Sequence, residues 1–175
     1  TGRDISVVRE FVRLDQIGYA GCHGLDILGP VGSGLRHEVA LEWLPLLKAA
    51  ESSLKRQLDG IEGVIVERKR YSLSAHYRLV DPRDTIHVEK AVSAVLMRYP
   101  KLRREDGKML YELRPDINWH KGCAVAWMLE ATSNSASGAI YIGDDETDEN
   151  AFKLLSRTGI GILVGREHKQ TDARY

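Results

Sequence analysis

The chain has 175 residues, 43% of them hydrophobic, enough for a core in one domain or two small ones. Lys+Arg and Asp+Glu both total 25, so the net charge is zero and no global basic field points to nucleic acid or a membrane surface. No apolar run is long enough to span a membrane and no signal-peptide pattern occurs, while Cys22 and Cys123 lie far apart; a reduced, cytoplasmic compartment is expected.

The first stretch is Thr1-Gly2-Arg3-Asp4, followed by Ile5, Val8, Phe11 and Val12 at helical spacing. A hydroxyl and free backbone N–H groups ahead of a helix can hold an anion. The same residues also read as an ordinary helix start capped by Thr or Asp. Next, Gly18 to Ile27 reads as two short strands around a Gly-rich bend, with His23 inside it, and Pro30 to Gly34 as a loop. His37 to Leu58 has a mostly helical pattern, and Pro45 is expected to kink or break it.

From Val64 to Leu79 the sequence alternates as two paired strands. Glu67 and Lys69 then share a face, as do His76 and Arg78. Such a face suits a polyhydroxyl ligand through charge-assisted hydrogen bonds, although a solvated outer face is the commoner arrangement. Ile86 to Tyr99 reads as an amphipathic helix and Lys108 to Arg114 as a strand that places Glu112 and Arg114 on one face. The order strand, strand, helix, strand predicts a small α+β unit. Lys121 stands just before an Ala-rich helix, Cys123 to Ala131, where its ammonium can neutralise an anion.

The most informative stretch is Ala139 to Phe152. A short apolar run ends at Gly143, then five carboxylates fall between Asp144 and Glu149, then Ala151, Phe152, Leu154 and Leu155 suggest the inner face of a helix. Acids at the carboxyl end of a buried strand lie where open α/β sheets bind ligands. Hard oxygen donors of this kind suit Mg²⁺, which takes one or two carboxylates and keeps several waters. Gly159 to Gly165 reads as a further buried strand.

The sequence Gly143-Asp144-Asp145-x-Thr147-Asp148-Glu149 resembles the last motif of the haloacid dehalogenase superfamily, in the form found in trehalose-6-phosphate phosphatases. Three other stretches agree with that likeness. Tyr19-Ala-Gly-Cys-His23-Gly resembles a frequent stretch of those phosphatases, with Cys22 where Ser is more usual. Glu67-x-Lys69 followed by Ser72-x-x-x-His76-Tyr-Arg78 resembles their cap sheet. Glu112-x-Arg114-Pro with Trp119-x-Lys121-Gly resembles their third motif. The likeness runs from Thr1 to Val164.

The resemblance implies an α/β fold: a Rossmann-like haloacid dehalogenase core, lacking its first strand, with an inserted α+β cap domain. Residues 1–59 and 116–175 are expected in the core and 60–115 in the cap. It implies Mg²⁺-dependent hydrolysis of trehalose 6-phosphate in trehalose biosynthesis. Thr1, Lys121, Asp144 and Asp148 take catalytic roles, and Asp144 with Asp145 holds the metal. His23, Glu67, Lys69, His76, Arg78, Glu112 and Arg114 contact the sugar. The family's Asp nucleophile sits in an Asp-x-Asp-Gly-Thr motif that this sequence does not contain; it is expected upstream of Thr1, since both ends look like cuts through a larger protein. By itself the chain is expected to be nearly inactive. Fusion or association with a trehalose-phosphate synthase is a further expectation. The alternatives are a non-catalytic sugar-phosphate-binding or regulatory domain, and a phosphatase for another sugar phosphate such as sucrose 6-phosphate.

Overall fold

The computed structural model describes residues 1–165 and 170–175. In chain order its elements are α1 (Ile5–Val12), β1 (Tyr19–Gly21), β2 (Asp26–Leu28), β3 (Arg36–Glu38), α2 (Leu44–Gln57), β4 (Ile65–Arg68) and β5 (Leu73–His76). They continue with α3 (Thr85–Arg98), β6 (Leu102–Gly107), β7 (Leu110–Pro115), α4 (Lys121–Ala131), β8 (Ile140–Gly143), α5 (Glu149–Leu155) and β9 (Ile160–Leu163). Two compact units result: Thr1–His37 with Asn118–Tyr175, and the inserted Glu38–Ile117.

In the first unit β8 and β9 pair in parallel, Ile140 opposite Ile160 and Ile142 opposite Ile162. Parallel strands need a crossover, and α5 supplies it. Its Ala151, Phe152 and Leu155 are buried, whereas Leu154, expected on the same inner face, is exposed. Alternation along β8 turns Ile140 and Ile142 outward, 62% and 63% exposed, and turns Tyr141 inward. β1 and β2 form the expected antiparallel pair around the bend, and β3 joins them at the edge. α1 forms as its spacing predicts, but only Ile5 of its apolar residues is buried; Phe11 lies outside with the Arg3 guanidinium over its ring.

The second unit is a four-stranded antiparallel sheet, order β4-β5-β7-β6, with α2 and α3 on one face. Leu47 and Leu54 of α2, Leu73 of β5, Val88, Val92 and Val95 of α3 and Leu113 of β7 are fully buried together. Because α2 packs here, the units divide after His37 rather than at 59/60, and again after Ile117 rather than at 115/116. Pro45 does not kink a helix. It stands in the first turn of α2, where its missing N–H has no intrahelical partner to lose. A 3₁₀ turn, Leu41–Trp43, precedes α2, and His37 lies in strand β3 instead of a helix.

Strand β6 was not expected, because Arg103-Arg104-Glu105-Asp106 carries no apolar alternation. It is stable since Arg103 and Glu105 stand on the polar face, while Arg104 lays its guanidinium over the Tyr111 ring at 4.1 Å. β5 ends at His76, so Arg78 lies in an exposed turn and shares no strand face with it.

Truncating Leu47 tests the membership of α2 in the second unit. Leu47→Ala is expected to destabilise that unit by about 2–5 kcal/mol, read from urea unfolding followed through residues of 38–117.

Candidate active site

The acidic stretch is organised by one buried carboxylate. β8 ends at Gly143, and the chain turns through a 3₁₀ turn, Glu146–Asp148, into α5. Asp145 caps that turn: its side chain accepts from the Asp148 N–H, and the Asp148 side chain accepts in return from the Asp145 N–H. Asp148 is only 3% exposed. Its Oδ2 accepts from the N–H groups of Asp144 and Asp145 at 3.2 and 3.1 Å. Its Oδ1 accepts from Lys121 Nζ at 2.7 Å and from the Tyr141 hydroxyl. A buried carboxylate needs such company, because an unpaired one costs several kcal/mol. Burial pushes the Asp148 pKa up, but the bonds from Lys121, Tyr141 and the Asp145 backbone outweigh that and hold it below the usual carboxylate range. A side chain at Gly143 would collide with this group, since its Cβ would lie 2.5 Å from Asp148 Cγ.

α4 begins two residues before the expected Cys123, so Lys121 is the first residue of the helix instead of standing just ahead of it. His120 caps that helix, its Nδ1 accepting from the Cys123 N–H at 3.3 Å. The helix start docks on the Cys22–Gly24 turn. Trp119 Nε1 donates to the Gly24 carbonyl at 2.8 Å, and Gly24, at φ 90, leaves room where a Cβ would lie 2.6 Å from that of Ala124. His23 also has a left-handed backbone, φ 59. Its N–H donates to the Thr1 carbonyl at 2.9 Å, and its ring lies against Gly2, where a Cβ would come 2.8 Å from Nε2. The Thr1 hydroxyl accepts from the Arg3 N–H at 3.3 Å. Thr1 is thus tied to the turn that packs on the start of α4. Thr1, His23, Lys121 and Asp148 thus gather in one place.

Asp144 and Asp145 are exposed, and among the described residues neither is in an ion pair. Two hard oxygen donors suit Mg²⁺, whose remaining positions water and phosphate fill. No group of three acidic, His or Cys side chains gathers for a metal among the described residues. Asp148 already accepts four hydrogen bonds, so the donor set available to a cation is Asp144 with Asp145.

In the second unit, the sheet face opposite the helices carries Glu67, Lys69, His76, Glu112 and Arg114, as the alternation predicts. Register aligns Glu67, Ser74, Glu112 and Glu105 in one row across the sheet. Glu112 accepts from Lys69 Nζ at 3.0 Å and from the Ser72 hydroxyl at 2.8 Å, and His76 Nε2 is 2.8 Å from Glu67. Arg114 bonds Glu105, which Arg103 also reaches at 3.4 Å. Burial, with the Arg103 charge beside it, pushes the Arg114 pKa down to about 10. The Ser74 hydroxyl is fully buried and has no hydrogen-bond partner among the described residues. Sequence reasoning noted Ser72 only as part of the cap-sheet likeness and did not single out Arg103, Glu105 or Tyr141. Register with Glu112 would have pointed to Glu105, but only after β6 was known to be a strand.

Comparison with known proteins shows the family and the fold. The family model described as trehalose-phosphatase matches residues 1–175. The probable trehalose-phosphate phosphatase D of Arabidopsis thaliana is 41% identical over 188 residues, covering 100% of this chain and 51% of that protein. The chain spans about half the length of the curated relatives it matches. Among solved structures, a trehalose-6-phosphate phosphatase related protein superposes with a TM-score of 0.75 at 23% identity, over 100% of this chain and 71% of that one. The C. albicans trehalose-6-phosphate phosphatase C-terminal domain gives 0.71 at 22% identity, over 98% and 69%.

The depressed pKa of Asp148 makes a signed prediction. A carboxylate held below its unfolded value contributes stability that is present above about pH 4 and is lost as pH falls through the folded value. Asp148→Asn is expected to cost about 3 kcal/mol near pH 7, where it leaves Lys121 poorly paired, and the gap to wild type is expected to close below about pH 4. Urea unfolding of both proteins across that range reads the difference.

Proposed function

We propose that this chain, which belongs to the trehalose-phosphatase family, carries the phosphate- and sugar-binding parts of an Mg²⁺-dependent phosphatase that converts trehalose 6-phosphate to trehalose and phosphate. The observation that carries the reading is the Lys121–Asp148 pair, shielded from water, at the strand end where Asp144 and Asp145 are exposed and, among the described residues, in no ion pair.

Phosphoryl transfer is catalysed mostly by positioning and charge stabilisation. Lys121 gives one hydrogen bond to Asp148 among the described residues, which leaves two ammonium N–H groups for phosphate oxygens. The Thr1 hydroxyl gives a further donor. Asp144 and Asp145 would hold Mg²⁺, which supplies charge neutralisation of the phosphate when bound. Asp148 acts through Lys121 and the Asp144–Asp145 backbone. The nucleophile is an Asp supplied by the protein outside this chain; its attack on phosphorus breaks the bond to the sugar oxygen, which leaves as trehalose on taking a proton, and water then cleaves the aspartyl-phosphate to phosphate and free Asp.

The polar sheet face of the second unit is the sugar-binding part. Lys69 pairs with Glu112, Arg114 pairs with Glu105, and His76 lies 2.8 Å from Glu67, so their donors and acceptors are preset for hydroxyl groups. Arg78, in its exposed turn, contacts the sugar from outside the sheet, and His23 lies with the phosphate groups rather than with the cap residues.

The full-length protein carrying this chain is expected to release phosphate from trehalose 6-phosphate with Mg²⁺ and much more slowly from sucrose 6-phosphate. Chelation should abolish release and added Mg²⁺ restore it. Asp144→Ala should lower kcat by about a hundredfold or more. Lys69→Ala should chiefly raise KM, by about tenfold or more, the scale of one charged hydrogen bond. No release by the folded protein would leave a binding or regulatory domain as the better account, and preference for sucrose 6-phosphate would reassign the substrate.

A further inference from the structure

Tyr141 is the one donor to Asp148 that neither the acidic motif nor the lysine motif supplies. It points inward from β8, between the outward Ile140 and Ile142. Its ring stands edge-on to Phe152, with centroids 5.6 Å apart and an interplanar angle of 82°, and Phe152 is fully buried. Its hydroxyl donates to Asp148 Oδ1, the oxygen that also accepts from Lys121 Nζ at 2.7 Å. Burial and then the adjacent carboxylate push the phenol pKa far above its usual value, so the group stays a donor throughout the working pH range.

We infer that Tyr141 is a positioning residue for phosphoryl transfer: by sharing Asp148 Oδ1 with Lys121, it fixes where the ammonium lies and how much of its charge remains for phosphate. The inference rests on the phosphatase reading. An oxygen that accepts from two donors divides its negative charge between them. With Tyr141 in place, Lys121 is anchored without being neutralised. Without the hydroxyl, Oδ1 has Lys121 as its one side-chain donor, the pair tightens, and the space beside the oxygen opens. Both changes draw the ammonium from the phosphate. A residue that merely filled the core would need the ring alone, and Phe would serve as well.

The test uses the full-length protein and two variants. Tyr141→Phe removes only the hydroxyl; Phe152→Leu loosens the ring's packing and keeps the hydroxyl. Tyr141→Phe is expected to lower kcat about tenfold, the equivalent of one hydrogen bond to a charged group, with a smaller rise in KM. Competitive inhibition by inorganic phosphate should weaken by a similar factor. The melting temperature should stay close to wild type, and Phe152→Leu should keep kcat within about twofold. Wild-type kcat and phosphate inhibition in Tyr141→Phe would overturn the inference. So would equal losses in Phe152→Leu, or failure of Tyr141→Phe to fold, since either assigns the residue to structure. If the wild-type protein releases no phosphate from sugar phosphates, the phosphatase reading fails and this inference fails with it; failure of the Tyr141 variant alone leaves that reading standing.

Discussion

The Asp148 carboxylate is the group on which the first unit depends. It is buried, ionised and held by donors from three places: Tyr141 on β8, the backbone of Asp144 and Asp145 after it, and Lys121 on α4. Removing such a charge from water is costly, and only a full set of donors offsets that cost. Each donor is therefore constrained by the others. Two glycines permit the close approach. A Cβ at Gly143 would strike Asp148, and one at Gly122 would come 2.5 Å from the Asn150 carbonyl where α4 meets α5. One anion thus sets the end of β8, the start of α5 and the lysine of α4 in a common frame.

That arrangement divides labour within an acidic run that composition alone treats as uniform. Asp148 is saturated with donors and gives structure. Asp144 and Asp145 are exposed and outside any ion pair among the described residues, so they remain able to take a cation. The second unit solves the opposite problem. Its polar sheet face gathers both signs of charge, and each carboxylate finds a partner in the same face: Glu112 with Lys69, Glu67 with the His76 ring, Glu105 with Arg103 and Arg114. Like charges directly across a ladder repel. Arg103 stands opposite Arg114, and the shared Glu105 makes that pairing tolerable.

Much of this was legible in the sequence, for identifiable reasons. A strand ending in Gly followed by acids has few other readings, and β8, α5 and β9 form where expected, although β8, read as a buried strand, turns Ile140 and Ile142 outward. α3 buries the Val88, Ala91, Val92 and Val95 stripe that its periodicity predicts. What escaped did so because the deciding interaction is not local. The Leu47 and Leu54 stripe of α2 announces a buried face but not which core it joins. Strand β6 is charged in every position from Arg103 to Asp106, and it is a strand because β7 offers it a ladder and Tyr111 offers Arg104 a ring. Tyr141 looked like one more apolar strand residue; only its distance from Asp148, seven positions on, gives its hydroxyl a task. The family resemblance had picked out Thr1 and Lys121, yet nothing in their spacing of 120 positions shows why they meet.

The explanation lies in the turn between β1 and β2. Cys22 adopts φ 50 and donates its thiol to Asp4 Oδ1. The Cys22 and His23 N–H groups donate to the carbonyls of Arg3 and Thr1, both at 2.9 Å, and Gly21 lets Arg3 approach to where a Cβ would be 2.8 Å from its oxygen. The Thr1–Asp4 segment is therefore laid along this turn. The turn itself is locked to the start of α4 through Gly24, Trp119 and Ala124. Placement passes from Asp148 to Lys121, from α4 to the Gly24 turn, and from that turn to Thr1. Left-handed backbone at Cys22 and His23 is strain that persists only where surrounding contacts over-determine it. Here those contacts are the ones that hold Thr1 along the turn that packs on α4, the helix whose first residue is Lys121.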